Sequence, residues 1–295
     1  MKFGSNSEHI FEDIVELRNK RKVKIYSVEN KQREEGIIFL HGFGMPPKFY
    51  STFFEEVGEK ISIYAPEFVA MNYFGKNQPH SIFDYGEMAH ELVDKISLDK
   101  IYLVGHSLGG RIALEVGKKS GNLEGKLSKI VVINPSLPVE YGVTQLLMKS
   151  LIEGVKQEHG YIGGEDSYDG EEGVERAKRF AKEIKKPWLS NIVKDLPNTY
   201  KLAKDMVNDS WEKLKIRDVP VVMIYSENDA FFKLSSSIEN KHRNSIENLE
   251  IIRVSGSHDF PIYNSERAAN DLLSVIPSSN SSGGEKINFE FELLK

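Results

Sequence analysis

The stretch Gly105-His106-Ser107-Leu108-Gly109-Gly110 constrains this chain more than any other. Before it stands Lys100-Ile101-Tyr102-Leu103-Val104, an apolar run that reads as a buried strand. After it, Arg111-Ile112-Ala113-Leu114-Glu115-Val116-Gly117 reads as a helix. A chain that passes from strand to helix in so few residues turns sharply. Side chains beside Ser107 would collide in that turn, and Gly105 and Gly109 remove the collision. The serine hydroxyl then stands clear of the backbone, beside the free N–H groups that open the helix. The bare G-x-S-x-G spacing carries little, since a chain of this length contains one by chance roughly one time in ten. Its surroundings decide what it means.

Those surroundings alternate strand and helix. Residues 11–17 and 23–28 alternate apolar and polar side chains and predict an opening antiparallel pair. Gly36-Ile37-Ile38-Phe39-Leu40 is a continuous apolar run, the pattern of a strand buried on both faces, and it ends at His41-Gly42-Phe43-Gly44. Residues 49–60 predict a helix, 61–66 a strand, 84–96 a helix and 129–134 another buried strand. From about Val139 to Leu214 no buried strand is visible, and the chain reads as helices and loops. The rhythm then resumes with strands over 220–225 and 249–254 and a closing helix over 265–276. The expectation is an α/β fold, a mostly parallel sheet with helices on both faces. Its core comprises residues 1–138 and 215–276, with 139–214 inserted as a helical cap. Residues 277–295 form a Ser/Gly/Asn-rich linker and a tail of period-2 alternation that predicts a strand.

Composition removes several classes of function. Hydrophobic residues are 40% and charged residues 28% of the 295, the balance of an ordinary globular protein. A formal net charge of −5 provides no basic footprint for nucleic acid. No apolar run approaches the roughly 18 residues of a membrane span, and residues 1–9 are polar, so a cytoplasmic location is the expectation. With no cysteine, disulfides, thiolate metal sites and a cysteine nucleophile are excluded.

A serine hydroxyl is a weak nucleophile at neutral pH. It needs a base, a group that orients the base, and donors for the developing oxyanion. His258, in the loop Ser255-Gly256-Ser257-His258-Asp259 after the last strand, lies on the same sheet edge as Ser107 and is the candidate base. Asp229, in Ser226-Glu227-Asn228-Asp229 after the preceding strand, is the candidate acid, with Glu227 in reserve. The backbone N–H groups of Leu108 and Phe43 are the candidate oxyanion donors, with Gly42 and Gly44 permitting unusual backbone angles around Phe43. Gly42, Met45 and His106 are candidate substrate-binding residues, although the His106 side chain should point into the sheet packing. Asp259 should project away from the base. His9, His80, His90, His159 and His242 lie in segments that read as surface. The acidic residues Glu165, Asp166, Asp169, Glu171 and Glu172 lack the ligand spacing of a calcium loop.

In His41-Gly42-Phe43-Gly44, Gly105–Gly110, Asn228-Asp229 and Gly256-Ser257-His258, taken in that order, the chain resembles the α/β-hydrolase family. The resemblance spans roughly residues 36–276. It implies Ser107 as nucleophile, His258 as base, Asp229 as orienting acid, and the backbone of Phe43 and Leu108 as oxyanion donors. It implies no cofactor or metal, a small-molecule acyl substrate, and a monomer or homodimer. The serine excludes the dehalogenase and epoxide-hydrolase branches, which carry Asp at that place. The chain departs from many capped members after the second parallel strand, where Pro66-Glu67-Phe68-Val69-Ala70-Met71 replaces a Gly-rich loop. The expected reaction is hydrolysis of carboxylic esters of small or medium acyl chains. A C–C bond hydrolase, a small-residue aminopeptidase or an acyltransferase would use the same triad. A ligand-binding protein on the same fold would carry it as a relic.

Overall fold

Strands that are apolar at odd and even positions alike must be covered on both faces. The computed structural model describes residues 11–18, 20–30, 34–43, 45–68, 81–123, 125–136, 200–205 and 214–276, with positions 145, 174, 175, 178 and 182. Its strands are β1 (Phe11–Glu16), β2 (Lys22–Val28), β3 (Glu35–Leu40), β4 (Ser62–Glu67), β5 (Lys100–His106), β6 (Leu127–Ile133), β7 (Val221–Ser226) and β8 (Leu249–Val254). They form one sheet in the order β1-β2-β4-β3-β5-β6-β7-β8. β2 runs antiparallel to both β1 and β4, and every other neighbouring pair is parallel. The mostly parallel sheet expected from the apolar runs is therefore present, with strand ends within a few residues of the predicted ones.

The α-helices that flank this sheet among the described residues include α1 (Ser51–Gly58), α2 (Ile82–Lys95), α3 (Leu108–Gly117), α4 (Ser236–Ser245), the single turn α5 (Phe260–Tyr263) and α6 (Ser265–Val275). Ile38, Leu40, Leu103, Val132 and Met223 face one way and join Leu92 and Val93 of α2 and Ile112 of α3 in one apolar cluster. Their sequence neighbours Ile37, Phe39, Val104, Val131 and Ile224 face the other way, onto Phe53 and Val57 of α1 and Ala269 and Leu272 of α6. Burial of each of the larger aliphatic and aromatic side chains stabilises the fold by about 1.5–3 kcal/mol. Ser81 caps α2 by accepting from the Asp84 N–H at 3.1 Å, which relieves one unpaired donor of its first turn.

α4 has no apolar stripe in its sequence, and His242 is its one buried residue. The ring stacks on Tyr225 of β7 with centroids 5.9 Å apart, and burial pushes its pKa down to about 3. The expected surface placement of His242 is thus corrected: the ring substitutes for the apolar stripe that α4 lacks.

Most of the stretch 139–214, expected as a helical cap, lies outside the described residues, as do the acidic group at 165–172 and the tail 277–295. Within it, residues 200–205 are helical. Leu202 and Ala203 are buried in the same cluster as α2 and α3, and the Asp205 carboxylate accepts from the Ile82 N–H at the start of α2. Among the described residues no helix is long and apolar enough to cross a membrane.

Candidate active site

The parallel strands β3, β5, β6, β7 and β8 end at one sheet edge, where the loops that follow them meet. Ser107 lies between β5 and α3 with φ 53° and ψ −118°. An L-residue held there stores about 1–3 kcal/mol of strain. The surrounding backbone enforces it: the Ser107 N–H donates to the Ile133 carbonyl at 3.0 Å, and the Ser107 carbonyl accepts from Ser136 at 2.9 Å and Arg111 at 3.2 Å. The two flanking glycines are required for space. A Cβ on Gly105 would lie 2.3 Å from the Gly109 carbonyl oxygen, and one on Gly109 would lie 1.9 Å from that of Leu40.

Three of the predicted side chains meet at this edge. Asp229 is fully buried. Its Oδ1 accepts from the N–H groups of Phe231 at 2.6 Å and Phe232 at 2.8 Å, and its Oδ2 lies 2.7 Å from His258 Nδ1. A carboxylate can only accept, so His258 carries its proton on Nδ1 and leaves Nε2 bare. Nε2 lies 2.9 Å from Ser107 Oγ, placed to accept the hydroxyl proton. Burial by itself would raise the Asp229 carboxyl. The His258 ring beside it and the two backbone donors outweigh burial and hold it below the usual carboxylate range. Glu227 is exposed at the mouth of the same loop, and Asp229 is the carboxylate brought to His258. Phe231 and Phe232 also pack on the His258 ring, with centroids 4.9 and 5.6 Å away.

Leu108 is the first residue of α3, so its N–H has no acceptor within the helix. Gly42, at the end of β3, lies against the same turn: a Cβ there would come 3.4 Å from Ser107 Cβ and 2.6 Å from Met45 Cε. The chain just before Phe43 thereby packs against the serine turn. The expected reason for Gly42 is corrected. Among the described glycines a positive φ occurs at Gly125 and Gly256, so Gly42 answers to close packing instead. Gly44 lies outside the described residues. His41 donates through Nδ1 to the Gly42 carbonyl at 2.9 Å and accepts at Nε2 from the Phe68 N–H at 3.2 Å, tying the loop to the end of β4. Burial pushes its pKa down to about 4.

His106 departs from the expected role of a substrate contact. It is fully buried, with Nδ1 2.8 Å from Tyr50 Oη and Nε2 2.9 Å from the His258 carbonyl oxygen. Both polar atoms of the ring are engaged by protein, beneath the base rather than before it. Asp259, expected to project away, has a carboxylate oxygen within 4.8 Å of ring nitrogens of His106 and His258. These are groups that bind metals elsewhere, but here the ring nitrogens are committed to Tyr50, Asp229, Ser107 and a carbonyl. Sequence reasoning missed Tyr50, Asn134, Phe231 and Phe232. The two phenylalanines leave a signal in the sequence, an aromatic pair two residues after the candidate acid, although the same pair also belongs to the apolar core.

The model of the Alpha/beta hydrolase family matches residues 37–271. A curated relative, "Putative esterase/lipase 3" of Mycoplasma genitalium, is 22% identical over 89% of this chain and 96% of its own. A solved lipase-esterase related protein from Clostridium acetobutylicum superposes with a TM-score of 0.62 at 17% identity, covering 86% of this chain and 99% of that one. The 2-hydroxy-6-oxo-6-phenylhexa-2,4-dienoate hydrolase of Rhodococcus superposes with a TM-score of 0.64 at 12% identity, covering 90% of this chain and 98% of that one. The sheet order, the strained serine turn and the match over residues 37–271 agree: the chain belongs to the alpha/beta hydrolase family.

Proposed function

We propose that this protein is a serine hydrolase that cleaves carboxylic esters of small or medium acyl chains through an acyl-enzyme on Ser107. The observation that carries this reading is the unbroken hydrogen-bond path from Ser107 Oγ to His258 Nε2 at 2.9 Å and from His258 Nδ1 to Asp229 Oδ2 at 2.7 Å. The resemblance to the esterase/lipase relative points the same way.

In the first half-reaction Ser107 Oγ attacks the ester carbonyl carbon and its proton passes to His258 Nε2. The ring becomes an imidazolium beside the ionised Asp229, which keeps it oriented. The carbonyl oxygen takes up the negative charge between the N–H groups of Leu108 and Phe43, where fixed donors act without reorganisation. His258 then gives the proton to the leaving alcohol. In the second half-reaction His258 takes a proton from water, which attacks the acyl carbon, and the acid leaves as Ser107 recovers its proton. Gly42 and Met45 flank the acyl group in this reading, and residues 139–214 form the cap that selects its length. No cofactor or metal takes part.

The test is a series of p-nitrophenyl esters of increasing acyl length, offered to the wild type and to Ser107→Ala. The expected result is turnover by the wild type with a maximum among the shorter acyl chains, and a loss of roughly 10⁴-fold or more in Ser107→Ala. Equal turnover by both proteins would overturn the proposal. A wild type that turns over none of the esters but cleaves a C–C bond, a small N-terminal residue or an acyl donor in the presence of alcohol would keep the triad and change the substrate.

A further inference from the structure

The His258 carbonyl oxygen, on the backbone of the base itself, accepts two buried side-chain donors. His106 Nε2 reaches it at 2.9 Å from the serine turn, and Asn134 Nδ2 reaches it at 2.9 Å from the end of β6. Asn134 is fixed in turn by Ser226, whose N–H donates to its Oδ1 at 2.7 Å and whose Oγ accepts from its Nδ2 at 2.8 Å. Its backbone has φ 42°, a left-handed conformation that Asn tolerates better than most residues. Ser226 ends β7 three residues before Asp229. On the other side, Tyr50 Oη lies 2.8 Å from His106 Nδ1 and accepts from the Gly42 N–H at 3.2 Å.

The proton positions in this seam follow from chemistry. A carbonyl only accepts, so His106 Nε2 carries a proton. Nδ1 of a neutral ring is then an acceptor, and Tyr50 donates to it. The chain of donors runs one way, from the Gly42 N–H to Tyr50, from Tyr50 to His106, and from His106 to the His258 backbone. It requires a neutral His106, and burial, which pushes that ring down to about 4, keeps it so. The loops bearing the oxyanion donor, the nucleophile, the acid and the base are thus joined beneath the reacting atoms.

We propose that His106 is a positioning residue that sets the base by donating to its backbone carbonyl, with Tyr50 fixing the donating tautomer and Asn134 holding the same carbonyl from the opposite side. This rests on the serine-hydrolase reading above. Misplacing a base by even about 1 Å can cost on the order of 10²-fold in rate without weakening substrate binding.

The experiment compares His106→Gln with His106→Leu, and both with Tyr50→Phe and Ser107→Ala, by kcat, KM and thermal midpoint on an activated ester. The Gln amide nitrogen can reach the place of Nε2 and donate, whereas Leu fills the space without a donor. The expected result is a fall in kcat of about 10- to 100-fold for His106→Leu with KM within about threefold, and recovery of roughly tenfold of that loss in His106→Gln. A role in packing alone predicts Gln no better than Leu, and that outcome overturns the proposal. If His106→Leu does not fold, Tyr50→Phe decides: a lowered kcat at unchanged KM supports the seam, and wild-type kcat overturns it. Ser107→Ala separates the two readings. If it retains turnover, the serine mechanism falls. If it is inactive while His106→Leu and Tyr50→Phe keep the wild-type kcat, the mechanism stands and the positioning role falls.

Discussion

Replacing Ser107 by glycine should leave a more stable protein than replacing it by alanine, the reverse of the usual order. Both variants lose the hydroxyl and its 2.9 Å bond to His258, so the loss of that bond cancels in the comparison. What differs is the backbone. At φ 53° and ψ −118° a Cβ is strained by about 1–3 kcal/mol, and alanine retains that strain while glycine releases it. Against this, glycine gives the unfolded chain more freedom, which costs about 0.4–1 kcal/mol relative to alanine. The difference favours glycine by about 1–2 kcal/mol. For a protein of this size that is about 2–8 °C in thermal midpoint. Urea unfolding of the two variants, followed by tryptophan fluorescence and circular dichroism, measures it directly. An alanine variant more stable than the glycine variant by the ordinary amount of about 0.4–1 kcal/mol would mean that Ser107 is not held in the strained turn, and the reasoning from the turn would fail.

Asp229→Asn should lower kcat/KM by roughly 10³–10⁴-fold with little change in fold, because an amide facing His258 Nδ1 favours the wrong tautomer; ester turnover checks it, and an activity near wild type would contradict the assigned role. Stability should fall as pH drops from about 6.5 toward 4. His41 and His106 have folded values of about 4 and His242 of about 3, against an ordinary 6.5, so the unfolded chain binds more protons in that window. Each contributes up to about 1.4 kcal/mol per pH unit, full stability being present above 6.5 and lost below it. A urea midpoint unchanged between pH 7 and pH 4.5 would show that these rings are not buried and neutral.

The sheet could be read from the sequence because β3, β5, β6 and β7 are buried on both faces, and runs such as Ile37-Ile38-Phe39-Leu40 have no other economical explanation. Ser107, Asp229 and His258 could be read because each sits in a loop that leaves a parallel strand at the same edge. Of the two carboxylates in the turn after β7, Asp229 is the one brought to His258, because the Phe231 and Phe232 N–H groups receive it there while Glu227 stays exposed. α4 was invisible because one buried histidine takes the place of an apolar stripe. Tyr50 and Asn134 gave no signal because they come from the turn before α1 and from the end of β6, and only the neighbouring of β3, β5 and β6 in the sheet brings them to the serine turn. For His106 the sequence supports both a packed side chain and a substrate contact. Its position in the motif could not separate the two, whereas its two hydrogen-bond partners do.

The most direct measurement is the site of covalent modification by a fluorophosphonate, which reacts with an activated serine and spares an ordinary one. Mass spectrometry of the digested protein should find one adduct, on the peptide containing Ser107. The adduct should be absent from Ser107→Ala and form far more slowly in His258→Ala. An adduct on a different residue, or none in the wild type under conditions that label an active serine esterase, would contradict the reading of Ser107 as an activated nucleophile.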